Sequence, residues 1–359
     1  MIKLYFKKVK FLFGLVFALL TFTSTCNIPK FVWAEGGNGG SSNTVNVLYT
    51  FDEDYARNFG IISIRSAVKS KNPDSIYRFH VVMPKNTSDE TKQRIRATVE
   101  AGINCSAVIR LVDENFCKEL ECGDNFRAVS YWRLFPSRYF LQFEMREIPT
   151  LIYIDGDTLV LKDLTQLSSA INPRRVFSKP NGAEKRNVIA GVGDLLRETL
   201  DAYHSPKELF GISKQNLNDY INSGVIVFSL SDYAEQGIEK KIWSYFFDKG
   251  ARGKAHDQAA INYACHGLIA NLAPEFNSLA FLFFENKNSR YSMYDAREWE
   301  KAKTQPTILH FAGNSKPDSD GRRHHPNPFI GLWWDYALES GCRSESDPVY
   351  REHYARKRN

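Results

Sequence analysis

Cysteine is scarce in this sequence, and none of it falls in a CxxC pair. Of the six cysteines, Cys26 lies in an amino-terminal apolar stretch, leaving Cys105, Cys117, Cys122, Cys265 and Cys342 as an odd set. That spacing excludes an ordinary structural zinc site, although Cys117 and Cys122 can pair if the compartment is oxidising. Net charge is scarce too. The formal charge is +6, but Lys3, Lys7, Lys8, Lys10 and Lys30 all precede the first acid, Glu35, so the remainder is close to neutral. A protein without a basic footprint is not built for nucleic acid. No apolar run reaches the roughly 20 residues of a membrane-spanning helix. There is no internal repeat, and no break in composition marks a second domain.

What the sequence does have is length and apolar content enough for a full core: 359 residues, 43% of them hydrophobic. The lysines flank an apolar stretch from Phe11 to Cys26, so residues 1–34 read as a signal peptide or an uncleaved signal-anchor. Val32-Trp33-Ala34 offers small residues for cleavage in the first case, and the rest of the chain lies outside the cytosol in the second. Residues 35–44, with Gly36, Gly37, Gly39 and Gly40, read as a flexible linker. Asn86-Thr87-Ser88 and Asn104-Cys105-Ser106 fit the N-glycosylation pattern, which matters only in a eukaryotic secretory route.

The body, 45–340, opens with a β-rich run from Val45 to Phe51. Ile61, Ile64 and Val68 then mark one face of a helix. Arg78 to Met83 reads as a second strand, Thr87-x-x-Glu90 as a capping box before another helix, and Val108 to Val112 as a third strand. Such alternation predicts parallel βαβ units. Later strands are expected at Val225 to Phe228 and Thr307 to Phe311, with helices around Ile238 to Phe247 and Asp257 to Cys265. Residues 341–359 read as a basic tail.

One stretch stands out. In Leu151-Ile152-Tyr153-Ile154-Asp155-Gly156-Asp157 a buried-strand pattern stops on two carboxylates, at the strand end where open α/β sheets hold their ligands. Two ionised carboxylates that close together call for a cation between them. The glycine is expected to supply a sharp backbone turn. Two other acid-x-acid triplets, at Asp52-Glu53-Asp54 and Asp318-Ser319-Asp320, do not close a buried run of this kind.

Four later features join this one: Asn222-Ser223-Gly224 leading into a strand, His256-Asp257-Gln258 opening a helix, His310 ending a β-rich run, and the turn Gly313-Asn314-Ser315-Lys316-Pro317. In this order, from Val45 to about Lys316, they resemble glycosyltransferase family 8, which includes glycogenin and bacterial lipopolysaccharide galactosyl- and glucosyltransferases. The resemblance implies an α/β GT-A fold, a Rossmann-like, mixed but mostly parallel sheet flanked by helices in a single domain.

It further implies a retaining enzyme that moves a hexose, galactose or glucose, from a UDP-sugar donor to a glycan or glycolipid acceptor. Matched position by position, the metal ligands fall on Asp155, Asp157 and His310, with Mn2+ or Mg2+ as cofactor. Lys316 on the Gly313 turn holds the diphosphate. Thr50, Asp52 and Tyr55 match nucleoside positions, and Arg133 a donor contact. Asn222, Asp257 and Gln258 match the positions beside the reacting carbon. Whether such enzymes use a protein nucleophile or a front-face route stays open, and Asp257 and Gln258 are assigned sugar orientation and charge stabilisation. Membrane-surface contact is expected from the basic, aromatic carboxyl terminus.

Two positions depart from the family pattern. Asp54 stands where relatives often have Asn, and Asp318 where a Trp commonly follows the Lys-Pro pair. Two rival readings remain. A haloacid-dehalogenase-type phosphatase would need a hydroxyl four residues after its first Asp, where Leu159 stands. A non-catalytic secreted carbohydrate-binding protein on the same fold would not need intact metal and diphosphate positions.

Overall fold

The computed structural model describes residues 44–353 except 122–126, 172–176, 179–183, 195–211, 213–216, 218, 280–293, 314–315 and 319–327. The expected signal segment, nearly all of the linker and the last basic residues lie outside the described residues. So does Cys122; Cys117 is a buried free thiol. Among the described residues no helix is long and apolar enough to cross a membrane.

The centre is a seven-stranded sheet. Thr44–Thr50 pairs in parallel with Ile76–Pro84 on one side and Leu151–Ile154 on the other, and Cys105–Val112 extends the parallel part. All four residues of Leu151–Ile154 are buried. Ile152 and Ile154 pack into the apolar cluster on one face and Leu151 and Tyr153 into that on the other. A strand covered on both faces has no polar alternation to show, as its sequence indicates.

Ile221–Phe228 makes the sheet mixed, as the resemblance implies, running antiparallel to Leu151–Ile154 and pairing Val225 with Ile154. The reversal has a use. An antiparallel neighbour presents its beginning where Leu151–Ile154 ends, and that beginning is Asn222-Ser223-Gly224. Ile189–Gly193 and Ile269–Leu272, not anticipated from the sequence, complete the sheet.

A three-stranded sheet stands beside it, with Thr158–Val160 antiparallel to Ile308–His310 and Ser278–Leu279 parallel to the latter. The helix Ile330–Glu339 covers it with Trp333 and Trp334. Tyr350, in the expected tail, is buried there, its ring 5.5 Å from that of Trp334.

The capping box is one residue out of place. Ser88, not Thr87, caps the helix Asp89–Glu100, accepting from the Thr91 N–H. The reciprocal carboxylate is Glu53 rather than Glu90; it accepts from the Ser88 N–H and hydroxyl and from the Thr91 hydroxyl. These bonds drop Glu53 to a pKa of about 2. A long-range partner has taken the place that local sequence offered to Glu90.

Candidate active site

Asp155, Gly156 and Asp157 form the turn by which the chain leaves the large sheet at Ile154 and enters the small one at Thr158. The Asp155 N–H donates to the Gly224 carbonyl at 2.8 Å, and the Phe311 N–H donates to the Asp157 carbonyl at 2.9 Å. The turn is thus pinned on one side by Asn222-Ser223-Gly224 and on the other by the strand ending in His310. The chain turns at Gly156 as expected, and glycine is needed there for space. Its φ is outside the left-handed region, and a Cβ would lie 2.7 Å from both Phe51 Cε1 and Tyr55 Cε1.

Gly224 serves His310 in the same way. A Cβ there would overlap His310 Cε1 and lie 2.6 Å from Nδ1. With that space open, His310 Nε2 sits 3.4 Å from Asp157 Oδ1 and 3.7 Å from Asp155 Oδ2. One ligand atom from each of the three residues lies within 4.8 Å of the others.

Burial pushes the Asp155 carboxyl up; the Arg133 guanidinium opposes the rise and the Asp157 charge adds to it. Asp157 moves the opposite way. Burial would raise it too, but the Lys316 ammonium and His310 hold it well below the usual carboxylate range. Lys316, which follows Gly313 at φ +64°, ion-pairs with Asp157 Oδ2 and donates to the Phe311 carbonyl at 3.0 Å. Asp157 Oδ1 is buried and, among the described residues, accepts no hydrogen bond of good geometry. An anionic oxygen facing an imidazole and a second carboxylate fits a divalent cation.

Arg133 is 6% exposed and reaches the two acids that flank it. It bonds Asp155 Oδ1 at 2.6 Å, pairs with Asp257, donates to the Ser223 carbonyl at 3.0 Å and lies over the Tyr153 ring at 4.7 Å. Burial favours loss of its charge, but the two carboxylates outweigh that and keep its pKa well above normal. Its guanidinium is therefore held between two protein carboxylates. Removing one member of such a buried pair costs about 3–5 kcal/mol.

Asp257 begins the helix Asp257–Ala264 and is 1% exposed. The Gln258 amide is held at both ends: Oε1 accepts from the Ser223 N–H at 3.0 Å, and Nε2 donates to Asp194 Oδ2 at 2.7 Å. Asn222 Oδ1 accepts from the Gly224 N–H at 3.0 Å. Thr50 is buried, with its hydroxyl 3.5 Å from that of Tyr153. Tyr153 donates in turn to Asp155 Oδ1 at 2.5 Å. Asp52 caps the following turn, accepting from the Tyr55 N–H at 2.7 Å, and stands 3.6 Å from Arg127. Burial, then the Asp157 and Asp155 charges, push the Tyr55 phenol well above its usual range.

The residues chosen from sequence therefore lie around one turn. Sequence reasoning missed two others. Asp194 follows Ile189–Gly193, another buried strand ending on an acid, but its glycines hide the apolar run. Asn277 closes a short turn, Pro274–Asn277, with no local signal; it reaches the site because Ser278–Leu279 pairs with Leu309 and His310.

The family model described as "Glycosyl transferase family 8" matches residues 46–320. General stress protein A of Bacillus subtilis (strain 168) is 20% identical over 314 residues, covering 86% of this chain and 98% of that protein. Lipopolysaccharide 1,2-glucosyltransferase of Escherichia coli (strain K12) is 26% identical over 284 residues, covering 78% of this chain and 74% of that protein. Among solved structures, the galactosyltransferase LgtC in complex with donor and acceptor sugar analogs aligns with a TM-score of 0.64 at 18% identity, covering 86% of this chain and 99% of that one. The WbbM bifunctional glycosyltransferase in its apo form aligns with a TM-score of 0.60 at 21% identity, over 90% of this chain; the match spans 53% of that longer chain. These likenesses show a GT-A fold.

Proposed function

The chain belongs to glycosyl transferase family 8, and from that premise we propose that it is a retaining hexosyltransferase using a UDP-sugar, with galactose or glucose as the sugar. The observation that carries this is the convergence of Asp155, Asp157 and His310 on one point, with Lys316 on one side and Asn222, Asp257 and Gln258 close by.

Asp155, Asp157 and His310 would hold Mn2+ or Mg2+, hard ions suited to carboxylates with one imidazole. When bound, the ion supplies a Lewis acid that neutralises the departing diphosphate. The chain's own residues do the rest. Lys316 offers the diphosphate a point charge. Thr50, Asp52 and Tyr55 line the nucleoside end. Asn222 and Gln258 hold fixed amides toward the sugar, oriented by Asp194. Arg133 holds Asp257 in place; that pairing and its burial make Asp257 a weak nucleophile and favour a role in charge stabilisation.

A glycan or glycolipid hydroxyl is the proposed acceptor. The lipopolysaccharide glucosyltransferase relative and the acceptor analog carried by the LgtC structure support that class. Export through residues 1–34 and contact of the basic carboxyl end with an anionic membrane surface belong to the same proposal.

The test is a panel of sugar nucleotides incubated with the protein and Mn2+, scored for UDP release and for the anomeric configuration of any product. UDP-galactose or UDP-glucose should be consumed with retention. No release from any UDP-sugar by folded protein would favour the non-catalytic carbohydrate-binding reading.

A further inference from the structure

Asn277 is 1% exposed and touches both halves of the site. Its Oδ1 lies 2.9 Å from His310 Nδ1, and its Nδ2 donates to Asn222 Oδ1 at 2.8 Å. Amide flips and histidine tautomers are ordinarily matters of assignment, but here a backbone group decides them. The Gly224 N–H can only donate, so the Asn222 atom it meets at 3.0 Å is the carbonyl oxygen. That oxygen needs a donor from Asn277, which turns the Asn277 NH2 toward Asn222 and its oxygen toward His310. In the neutral form of His310 the single ring proton therefore sits on Nδ1. Nε2 keeps its lone pair, on the side where Asp157 and Asp155 lie at 3.4 and 3.7 Å.

We infer that Asn277 is a positioning residue that sets His310 for metal ligation and ties it to Asn222, coupling the metal end of the site to the sugar end. The inference rests on the proposed metal-dependent transferase reading. It needs no contact between Asn277 and substrate. Partners of this kind, bonded to the second nitrogen of a ligating histidine, fix ring orientation and raise basicity. The same side chain also holds the Asn222 amide, so a disturbance at either residue reaches the other.

The test compares Asn277→Asp with Asn277→Leu and reads metal binding apart from turnover. Mn2+ affinity is measured from the electron paramagnetic resonance signal of free Mn2+, without donor, and kcat is measured separately with UDP-sugar. In Asn277→Asp a carboxylate oxygen still accepts from His310 Nδ1 but has no hydrogen to give Asn222, so Mn2+ affinity should be retained or improved while kcat falls. In Asn277→Leu both bonds are gone, and affinity should fall by about 10–100-fold along with kcat. Wild-type Mn2+ affinity in Asn277→Leu, or equal loss of affinity in the two variants, would overturn the inference. Should Asn277→Leu not fold, Asn277→Asp alone decides: affinity kept with kcat reduced supports the coupling, and both lost refutes it. Absence of Mn2+ binding by the wild-type protein would instead sink the metal-dependent reading itself.

Discussion

The Lys316 ammonium is ion-paired with Asp157, the carboxylate whose other oxygen faces His310 at 3.4 Å. One acid therefore serves a fixed cation on one side and the proposed metal position on the other. Charge on Lys316 should oppose metal binding by itself, yet favour a diphosphate once the site is filled. Lys316→Ala should bind Mn2+ severalfold more tightly in the absence of donor and show a raised KM for UDP-sugar, with little change in acceptor KM. Metal titration and initial rates check the two signs. Equal rises in both KM values would remove Lys316 from the diphosphate.

Gly224 makes the imidazole's place. In Gly224→Ala the added methyl would overlap His310 Cε1 and crowd Asp155 Oδ2 at 3.0 Å. Both are held by short bonds and cannot yield cheaply. Turnover and Mn2+ affinity should each fall by at least tenfold. Wild-type kinetics would mean that the strand can move away from the histidine.

Much of this site could be read from residue order, because its parts lie at the ends of buried strands or helices, where apolar runs stop on polar residues. Ile154 to Asp155 and Leu309 to His310 are such junctions. The meeting of Asn222-Ser223-Gly224 with Asp155 could not be read, since strand direction is set by sheet pairing and local periodicity is the same for parallel and antiparallel neighbours. Asn277 and Glu53 were hidden for a similar reason: each acts on residues remote in sequence. At Gly156 the turn is legible in the sequence but the need for space is not, its neighbours Phe51 and Tyr55 being close only in three dimensions.

Asp318 pairs with Arg343, which also stands 3.9 Å from Asp347. The latch joins the segment after Lys316-Pro317 to the chain beyond the Ile330–Glu339 helix. Arg343→Ala should raise donor KM by a few-fold through misplacement of Lys316 while leaving Mn2+ affinity unchanged. Unaltered donor KM, measured by initial rates at saturating Mn2+, would show that the loop is held by other means.

His80 gives a pH dependence of stability. It is a buried residue of the strand Ile76–Pro84, with Nδ1 3.2 Å from Arg110 Nη2 and Nε2 3.4 Å from Asn46 Oδ1. Burial, then the Arg110 and Arg78 charges, lower its pKa from 6.5 to about 3. Between those values the unfolded chain takes up a proton that the folded protein refuses, so stability falls as pH drops from about 6.5 toward 3. The slope contributed reaches about 1.4 kcal/mol per pH unit. Denaturant unfolding of His80→Gln at several pH values should show a shallower slope over that window, whatever its stability at neutral pH. An unchanged slope would mean that His80 is charged in the fold.

The central claim is that Asp155, Asp157 and His310 hold the ion on which sugar transfer depends. Its most direct test is UDP release from UDP-galactose and UDP-glucose by wild-type protein and Asp157→Asn, across a Mn2+ titration and after chelation. Asn is nearly the same size but carries no charge, so the fold should persist while the ligand is weakened. The account predicts metal-dependent release by the wild type and less than about a tenth of it in Asp157→Asn at any Mn2+ concentration. Release that survives chelation, or a folded Asp157→Asn variant retaining more than about a tenth of wild-type activity, would contradict it.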